Sequence, residues 1–413
     1  MKLSVISILV FASISGYAQS LVNDGGGIFL GEKSLLYVSG DFVNKKGSVL
    51  NNGNLEIKGN FKNEDLSSIV FESPSTSKGV VSLSGAEQTI SSPGVIVFPS
   101  LSLSGSGDKT LERNIEIEGV LSLGDKHLKV ESFSVYLKNP NAEALKRGDE
   151  GSTSGSGFIS TTGGGTLLRK TTSDEIYLFP LGSLTGASIL YRPISIQPSN
   201  SLENTFSASL INSDPSAQGY DIKKKRYDVK TVSDKYYYIL GQKQGTSKFD
   251  ITFTQNSATD NNYTQLVSWG TYLQWEKAAP SSVAPMTPED DLNGGTLNTS
   301  IKFSSIDPFQ STAFTFSSEM GGVNPFTFFN AFSPDGDNKN DTWKINNIEL
   351  YPDNKLSIYN RWGDEVFNAK SYTNNKAWDG GNLQPGTYYY VLTAIIENQP
   401  RVFKGFITMI KKN

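Results

Sequence analysis

The sequence predicts an all-β chain, and three observations carry that reading. Short runs of alternating apolar and polar residues recur from end to end, while long helical periodicity is scarce. The composition, with 39 Gly, 18 Tyr and 23 Phe in 413 residues, is one of strands joined by turns. Between Gly25 and Leu137 the chain also repeats itself. Leu36–Asn44 reads LYVSGDFVN, and 19 residues later Leu55–Asn63 reads LEIKGNFKN. Looser copies follow at Val81–Gly85, Leu101–Gly105 and Ile115–Gly119, each an alternating strand closed by Gly.

The elements follow in order. Met1–Lys2 is a short charged start, Leu3–Ile14 an apolar run, and Gly16-Tyr17-Ala18 a small-x-small site. This is the pattern of a secretory signal peptide over residues 1–18, cut before Gln19. The apolar run is too short to span a bilayer, and no later run of about 18 apolar residues exists to do so. Residues 19–138 are the repeat region. A repeat of about 20 residues built of strand and turn predicts a β-solenoid, a parallel β-helix in form. Uneven later spacing leaves a β-sandwich or a β-rich meander open.

Residues 139–320 are expected to hold a linker and a β-sandwich. Ala142–Arg147 suits one helical turn, and Gly148–Gly157 is a Gly/Ser-rich stretch. Strands are predicted at Thr205–Ile211, Tyr236–Leu240, Phe249–Thr254, Leu266–Trp269 and Ala313–Ser317. Ala278–Gly295 reads as a polar, Pro-containing loop, and Glu319–Pro325 as a linker.

Residues 324–413 predict a small Ig-like β-sandwich. Leu356–Asn360 alternates as a strand. Arg361-Trp362-Gly363 turns the chain, with Trp362 expected to close one end of the core and Gly363 to take a positive φ. Gln384-Pro385-Gly386 is a turn, and Thr387–Leu392 is a strand by composition. Val402–Ile410 is apolar on both faces, which predicts a central strand. Trp343, Trp362 and Trp378 lie in this segment, and large aromatics supply much buried area in a short domain.

Composition excludes several chemistries. There is no cysteine, so disulfides, thiolate metal sites and cysteine nucleophiles are absent, and there is one histidine, His127. With 37 Lys and Arg against 41 Asp and Glu, the chain lacks the basic excess that phosphate contacts require, and nucleic acid is not an expected partner. Lys223-Lys224-Lys225-Arg226 is a basic run that reads as a solvated turn, or as a dock for an acidic polymer. Gly163-Gly164-Gly165 lacks the Gly-Lys-Ser/Thr of a phosphate loop, and Gly151–Gly155 centres on Thr153 rather than a nucleophilic Ser. Trp269, Tyr272 and Trp275 are aromatics for core packing or for stacking on sugars.

The one metal candidate is Asp335-Gly336-Asp337-Asn338-Lys339-Asn340-Asp341. Carboxylates at Asp335, Asp337 and Asp341, with the Lys339 carbonyl between them, are the oxygen set that calcium takes in a tight loop. The loop lacks the bidentate Glu of an EF-hand, and Asp and Asn form Asx-turns without any ion. Both readings stand on the sequence.

The order of five motifs from Asn324 onward resembles the gliding motility-associated C-terminal domain, the type B sorting domain of the Bacteroidetes type IX secretion system. They are Phe332–Trp343, Leu356–Gly363, Trp378-Asp379-Gly380, Pro385–Leu392 and Lys404–Thr408. Ile176–Ser183 and Tyr191–Ile194 resemble a segment found in surface proteins that carry such a domain. The resemblance marks Arg361, Trp362, Gly363, Trp378, Asp379, Gly380, Gly386, Tyr388, Lys404 and Gly405 as sorting-motif residues. It implies export to the cell surface by the type IX outer-membrane machinery, with an outer-membrane partner of the PorP/SprF kind. The resulting expectation is a non-enzymatic, adhesin-like or accessory component of a surface, gliding or secretion assembly. The alternative is a secreted carbohydrate-binding or polysaccharide-active β-helix protein: a cluster of Asp, Lys and Arg on one solenoid face would mark the enzyme, and the sequence shows no such ladder, while an exposed aromatic platform would mark the glycan-binding module.

Overall fold

The structure is a computed structural model that describes residues 19–410, except 68, 73–76, 149–155, 187, 227, 262, 279–280, 308, 310–311, 320–324, 338 and 397–398. The expected signal peptide, most of the Gly/Ser-rich stretch and most of the expected linker lie outside the described residues. The chain divides into two compact units, residues 1–319 and 320–413. The described residues are all-β, with 3-10 turns and no α-helix.

The first unit opens with a β-solenoid of about 7 turns. Its parallel strands stack into three walls. One wall runs Leu21–Leu30, Phe42–Asn51, Phe61–Asn63, Gln88–Ser91, Lys109–Leu111, His127–Lys129, Phe158–Ser160 and Leu181–Thr185. A second begins at Leu35–Val38 and ends at Leu145–Lys146, and the third includes Ile96–Phe98, Ile115–Ile117, Ser134–Leu137 and Thr166–Thr171.

The repeat explains the stacking residue by residue. Leu36 pairs with Leu55, and Phe42 with Phe61, so matched positions of the two copies lie one above the other. The Phe42 and Phe61 rings stack at 5.3 Å between centroids. Gly59 lies directly over Gly40, its amide donating to the Gly40 carbonyl at 2.8 Å. A Cβ at Gly59 would collide with the Gly40–Asp41 backbone, which is why the strands of the repeat close on Gly. Burying one apolar face of each strand inside the coil supplies the stabilisation that no single coil has alone.

The parallel ladder runs on past residue 138. Ala142–Ala144 forms the single helical turn, capped by the Asn141 side chain, and Leu145–Lys146 and Phe158–Ser160 return to the walls.

Thr166–Thr171 joins solenoid to sandwich. One side pairs parallel with Ser134–Leu137, and the other pairs antiparallel with Asn204–Ile211. The antiparallel sheet continues through Tyr237–Gln244, Thr312–Glu319, Gln265–Trp269 and Trp275–Lys277. A second antiparallel sheet contains Tyr177–Phe179, Ile194–Pro198, Phe249–Gln255, Thr296–Ile306 and Ser281–Asp290. One apolar core runs from Leu30 to Phe316 through both parts. The expected loop Ala278–Gly295 is therefore corrected: Ser281–Asp290 is a strand. It lies at the sheet edge, the place in a sheet where a proline such as Pro285 is tolerated.

A buried ion pair fixes this sandwich. Arg192 holds Asp260 through two bonds, at 2.7 and 3.0 Å, and both side chains are 3% exposed. Tyr236, the Asn256 amide and the Thr259 hydroxyl also donate to Asp260. Arg169, fully buried, spends its guanidinium on the Leu178, Asn141 and Ala142 carbonyls, and burial lowers its pKa to about 10.

The second unit is a five-stranded sheet in the order Ala331–Phe332, Gln399–Met409, Gly386–Ile396, Asn354–Tyr359, Glu365–Lys370, beside a two-stranded ribbon of Thr327–Phe328 and Ile345–Asn346. Gly386–Ile396 alternates strictly. Tyr388, Tyr390, Leu392, Ala394 and Ile396 point into the core, while Tyr389 and Ile395 face out. Gln399–Met409 is not central along its length, because Ala331–Phe332 pairs only with Thr408 and Met409. Its outward apolar residues, Val402 and Phe406, are 55% and 52% exposed, which is why the segment reads apolar on both faces.

Candidate functional site

The motif residues of the second unit divide into a buried set and a presented set. The buried set is built on Trp343 and Trp378. Trp343 is fully buried, its indole Nε1 donating to the Phe329 carbonyl at 2.6 Å. Its backbone amide donates to the Trp378 carbonyl at 2.8 Å. Trp378 packs on Phe332, Phe367 and Tyr388. Tyr388 closes this group by donating its hydroxyl to the Gln384 carbonyl at 2.6 Å. Burial raises its pKa above the usual range.

Two residues that the motifs did not flag hold the set together. The Tyr372 hydroxyl donates to the Trp343 carbonyl at 2.5 Å and accepts from the Trp378 amide at 3.0 Å. It sits between the two tryptophan segments, and burial pushes its pKa up to about 12. Asn354 holds Tyr372 in turn. Its Oδ1 accepts from the Tyr372 amide, and its Nδ2 donates to the Tyr372 and Tyr351 carbonyls. A lone Tyr and a lone Asn in polar surroundings give no periodic signal; their roles come from backbone groups brought in from far along the chain.

The glycines have local reasons. Gly380 has φ 78°, and a Cβ there would strike the Met409 sulfur. Asp379 caps the same turn by accepting from the Gly381 amide at 2.9 Å. Gly405 lies opposite Tyr390 in the ladder, and the Tyr390 ring covers it where a side chain would stand. Gly386 opens its strand opposite Met409.

The presented set lies on the hairpin tip and on the outer sheet face. Asn360 organises the tip, its Oδ1 accepting from the amides of Trp362 and Asp364, both at 2.9 Å. Gly363 has φ 92°, the expected left-handed turn position. The expectation for Trp362 is corrected. The ring is 75% exposed, with the Arg361 guanidinium over it at 4.6 Å. A tight five-residue turn points its middle side chains away from the sheet, and Phe332, Phe367 and Trp378 fill the space that Trp362 was expected to close. Lys404 stands on the outer face opposite Val391, beside the half-exposed cross-strand pair Tyr389 and Phe406.

The acidic loop brings three carboxylates together. Asp335, Asp337 and Asp341 each place an oxygen within 4.8 Å of the others, and all three are at least partly exposed. The same oxygens hold the loop: Asp341 accepts from the Gly336 amide at 2.7 Å, Asp335 from Asp337 and Asp337 from Lys339. Lys339 takes part through its amide. A calcium loop and a metal-free Asx-turn use the same oxygens, and the arrangement accommodates both.

In the first unit, His127 lies within a strand of the first wall. Its Nδ1 is 2.9 Å from Asp108, its ring packs on Phe158, and burial lowers its pKa. The three aromatics do not form a platform. Trp275 is fully buried, Trp269 packs on it at 5.4 Å, and Tyr272 is exposed at the hairpin end. The basic run follows a turn, and Arg226 pairs with Asp228.

Residues 326–409 match the family described as CHU_C Type IX secretion signal domain. The second unit carries a type IX secretion signal. The match spans both tryptophan segments, the Arg361-Trp362-Gly363 tip and the Lys404-Gly405 strand, so the buried and presented sets belong to one sorting domain. This signal implies interaction with the type IX machinery and export to the cell surface or the extracellular space. No curated protein and no solved structure matches the chain. No helix among the described residues is long and apolar enough to cross a membrane, which leaves β-barrel spans unaddressed.

Proposed function

We propose that this chain is a non-enzymatic surface protein whose first unit is the passenger and whose second unit is its export address. The passenger acts as an adhesin-like or accessory component of a surface, gliding or secretion assembly held at the outer membrane. The observation that carries the reading is the secretion-signal match over residues 326–409, a segment contained within a compact unit of its own. A separable unit with its own core is what a transferable address requires. The passenger supports the reading through its continuous core, which joins solenoid to sandwich in one unit suited to displaying a stable surface. The exposed Trp362 and the outward Tyr389 and Phe406 supply apolar contact area for an outer-membrane partner of the PorP/SprF kind.

The test is a fusion. A signal peptide, a folded reporter and residues 320–413 are expressed in a type IX-competent cell and in a mutant lacking the translocon. Protease shaving of intact cells should remove the reporter in the first and spare it in the second. A reporter that stays periplasmic in both cells refutes the address.

A further inference from the structure

Among the described residues, the first coil of the solenoid, Leu21–Val38, stands at the end of the stack. Its inward residues Leu21, Ile28 and Leu36 sit in register on Phe42, Val49 and Leu55. Those three partners are fully buried, whereas Leu21, Ile28 and Leu36 are only partly so. Each side of the coil therefore carries one half-covered apolar side chain, while the inward Leu30 and Val38 of the same coil are buried. Leu21–Leu30 and Leu35–Val38 are also terminal in their sheets, so one edge of each faces no strand among the described residues.

Four outward side chains of this coil are apolar as well. Val22, Phe29, Leu35 and Tyr37 are 48%, 68%, 58% and 52% exposed. One coil further on, the register partners of Leu35 and Tyr37 are Asn54 and Glu56, while those of Val22 and Phe29 are Val43 and Leu50. On the wall of Leu35 and Tyr37 the change is the reverse of the polar capping that keeps solenoid ends and sheet edges from associating.

We propose that this end docks on the first coil of a second copy, giving a head-to-head dimer. The occupant must offer strand edges on every side of a matching cross-section, together with a half-covered apolar core. The first coil of another copy offers both. The strand directions also agree. Strands that circulate in one sense, seen from the open end of one copy, run in the opposite sense in a copy facing it. Under a two-fold axis one side then meets its own counterpart antiparallel, and the other two sides meet each other antiparallel. Asp24, Glu32 and Lys33 are the only charged residues of the coil, so repulsion between two such ends is small.

The test uses the full secreted chain. Light scattering should give twice the monomer mass. Raising the concentration should slow hydrogen exchange at the amides of residues 21–38. The double variant Phe29→Lys/Tyr37→Lys changes only outward side chains; it should shift the protein to monomer with an unchanged circular dichroism spectrum. A second variant, Ile28→Asp, charges the end of the core and should give the same shift. A chain that stays monomeric up to its solubility limit overturns the proposal. So does a dimer that survives both variants, or one whose concentration-dependent protection lies only outside residues 21–38.

Discussion

The Asn44 side-chain amide donates to the Asn63 side-chain carbonyl at 3.0 Å, one coil directly over the next. Asn23 donates to Asn44 from the coil before, and Asn63 passes its own amide to Ser92. All four side chains are buried. The carboxamide is the group for this place because it is donor and acceptor at once, so each copy satisfies its two neighbours. Asn44→Ala should leave the Asn23 amide without this acceptor and take from the Asn63 carbonyl the closer of its two donors, leaving the Asp65 amide at 3.4 Å. An orphaned buried group costs about 1–3 kcal/mol, and denaturant unfolding should show the loss. Asn44→Asp should be worse, since it buries a charge and removes the donor.

Tyr372→Phe keeps the ring and deletes the hydroxyl that joins the Trp343 carbonyl to the Trp378 amide. The expected loss is about 1–3 kcal/mol, because both backbone groups are buried there. Thermal unfolding of the second unit reads this directly. Export should fall in proportion to the folded fraction and recover at lower temperature.

Trp378→Ala and Trp362→Ala should separate folding from recognition. Trp378 is buried, so truncation should cost about 3–5 kcal/mol and lower export through unfolding. Trp362 is exposed, so truncation should change stability by about 0.5 kcal/mol or less. If the ring contacts the secretion machinery, Trp362→Ala should still reduce surface exposure in protease shaving. Normal export of a normally stable Trp362→Ala protein would remove the tip from the recognition surface.

Asp41 gives a pH test. Burial by itself would raise its pKa, but the Lys62 ammonium, at 2.6 Å, and the Asn60 amide outweigh it and hold the carboxyl below 3.8. A depressed folded pKa contributes stability that is present above the unfolded value and is lost as the pH falls through the folded one. Asp41→Asn should therefore lower the melting temperature at pH 7. The gap from the wild type should close below about pH 4.

Gly405→Val tests the pairing of Gly405 with Tyr390. The new side chain would meet the Tyr390 ring, which must leave its place against Phe328 and Trp343. Overpacking of this kind costs about 1–3 kcal/mol. The double variant Gly405→Val/Tyr390→Ala should cost less than the sum of the two single changes, and a double-mutant cycle measures the difference.

By itself the sequence determined the all-β class, the coil period and the positions that stack. Gly40 with Gly59, Phe42 with Phe61 and Asn44 with Asn63 are legible because one physical constraint recurs at each turn and leaves a periodic trace. The turn glycine Gly363 and the core ring Trp378 were legible for a related reason, since a left-handed backbone and a small core each narrow the choice of residue. Tertiary structure alone decided the rest. Trp362 and Trp378 are the same residue type within one segment, yet one is presented and the other enclosed; only the hairpin tip and the neighbouring rings distinguish them. Tyr372, Asn354, Arg192 and Asp260 act through partners distant in sequence, and a single occurrence has no period to reveal it. Ser281–Asp290 reads as a loop because an edge strand tolerates proline and polar residues, and being at an edge is a property of the assembled sheet.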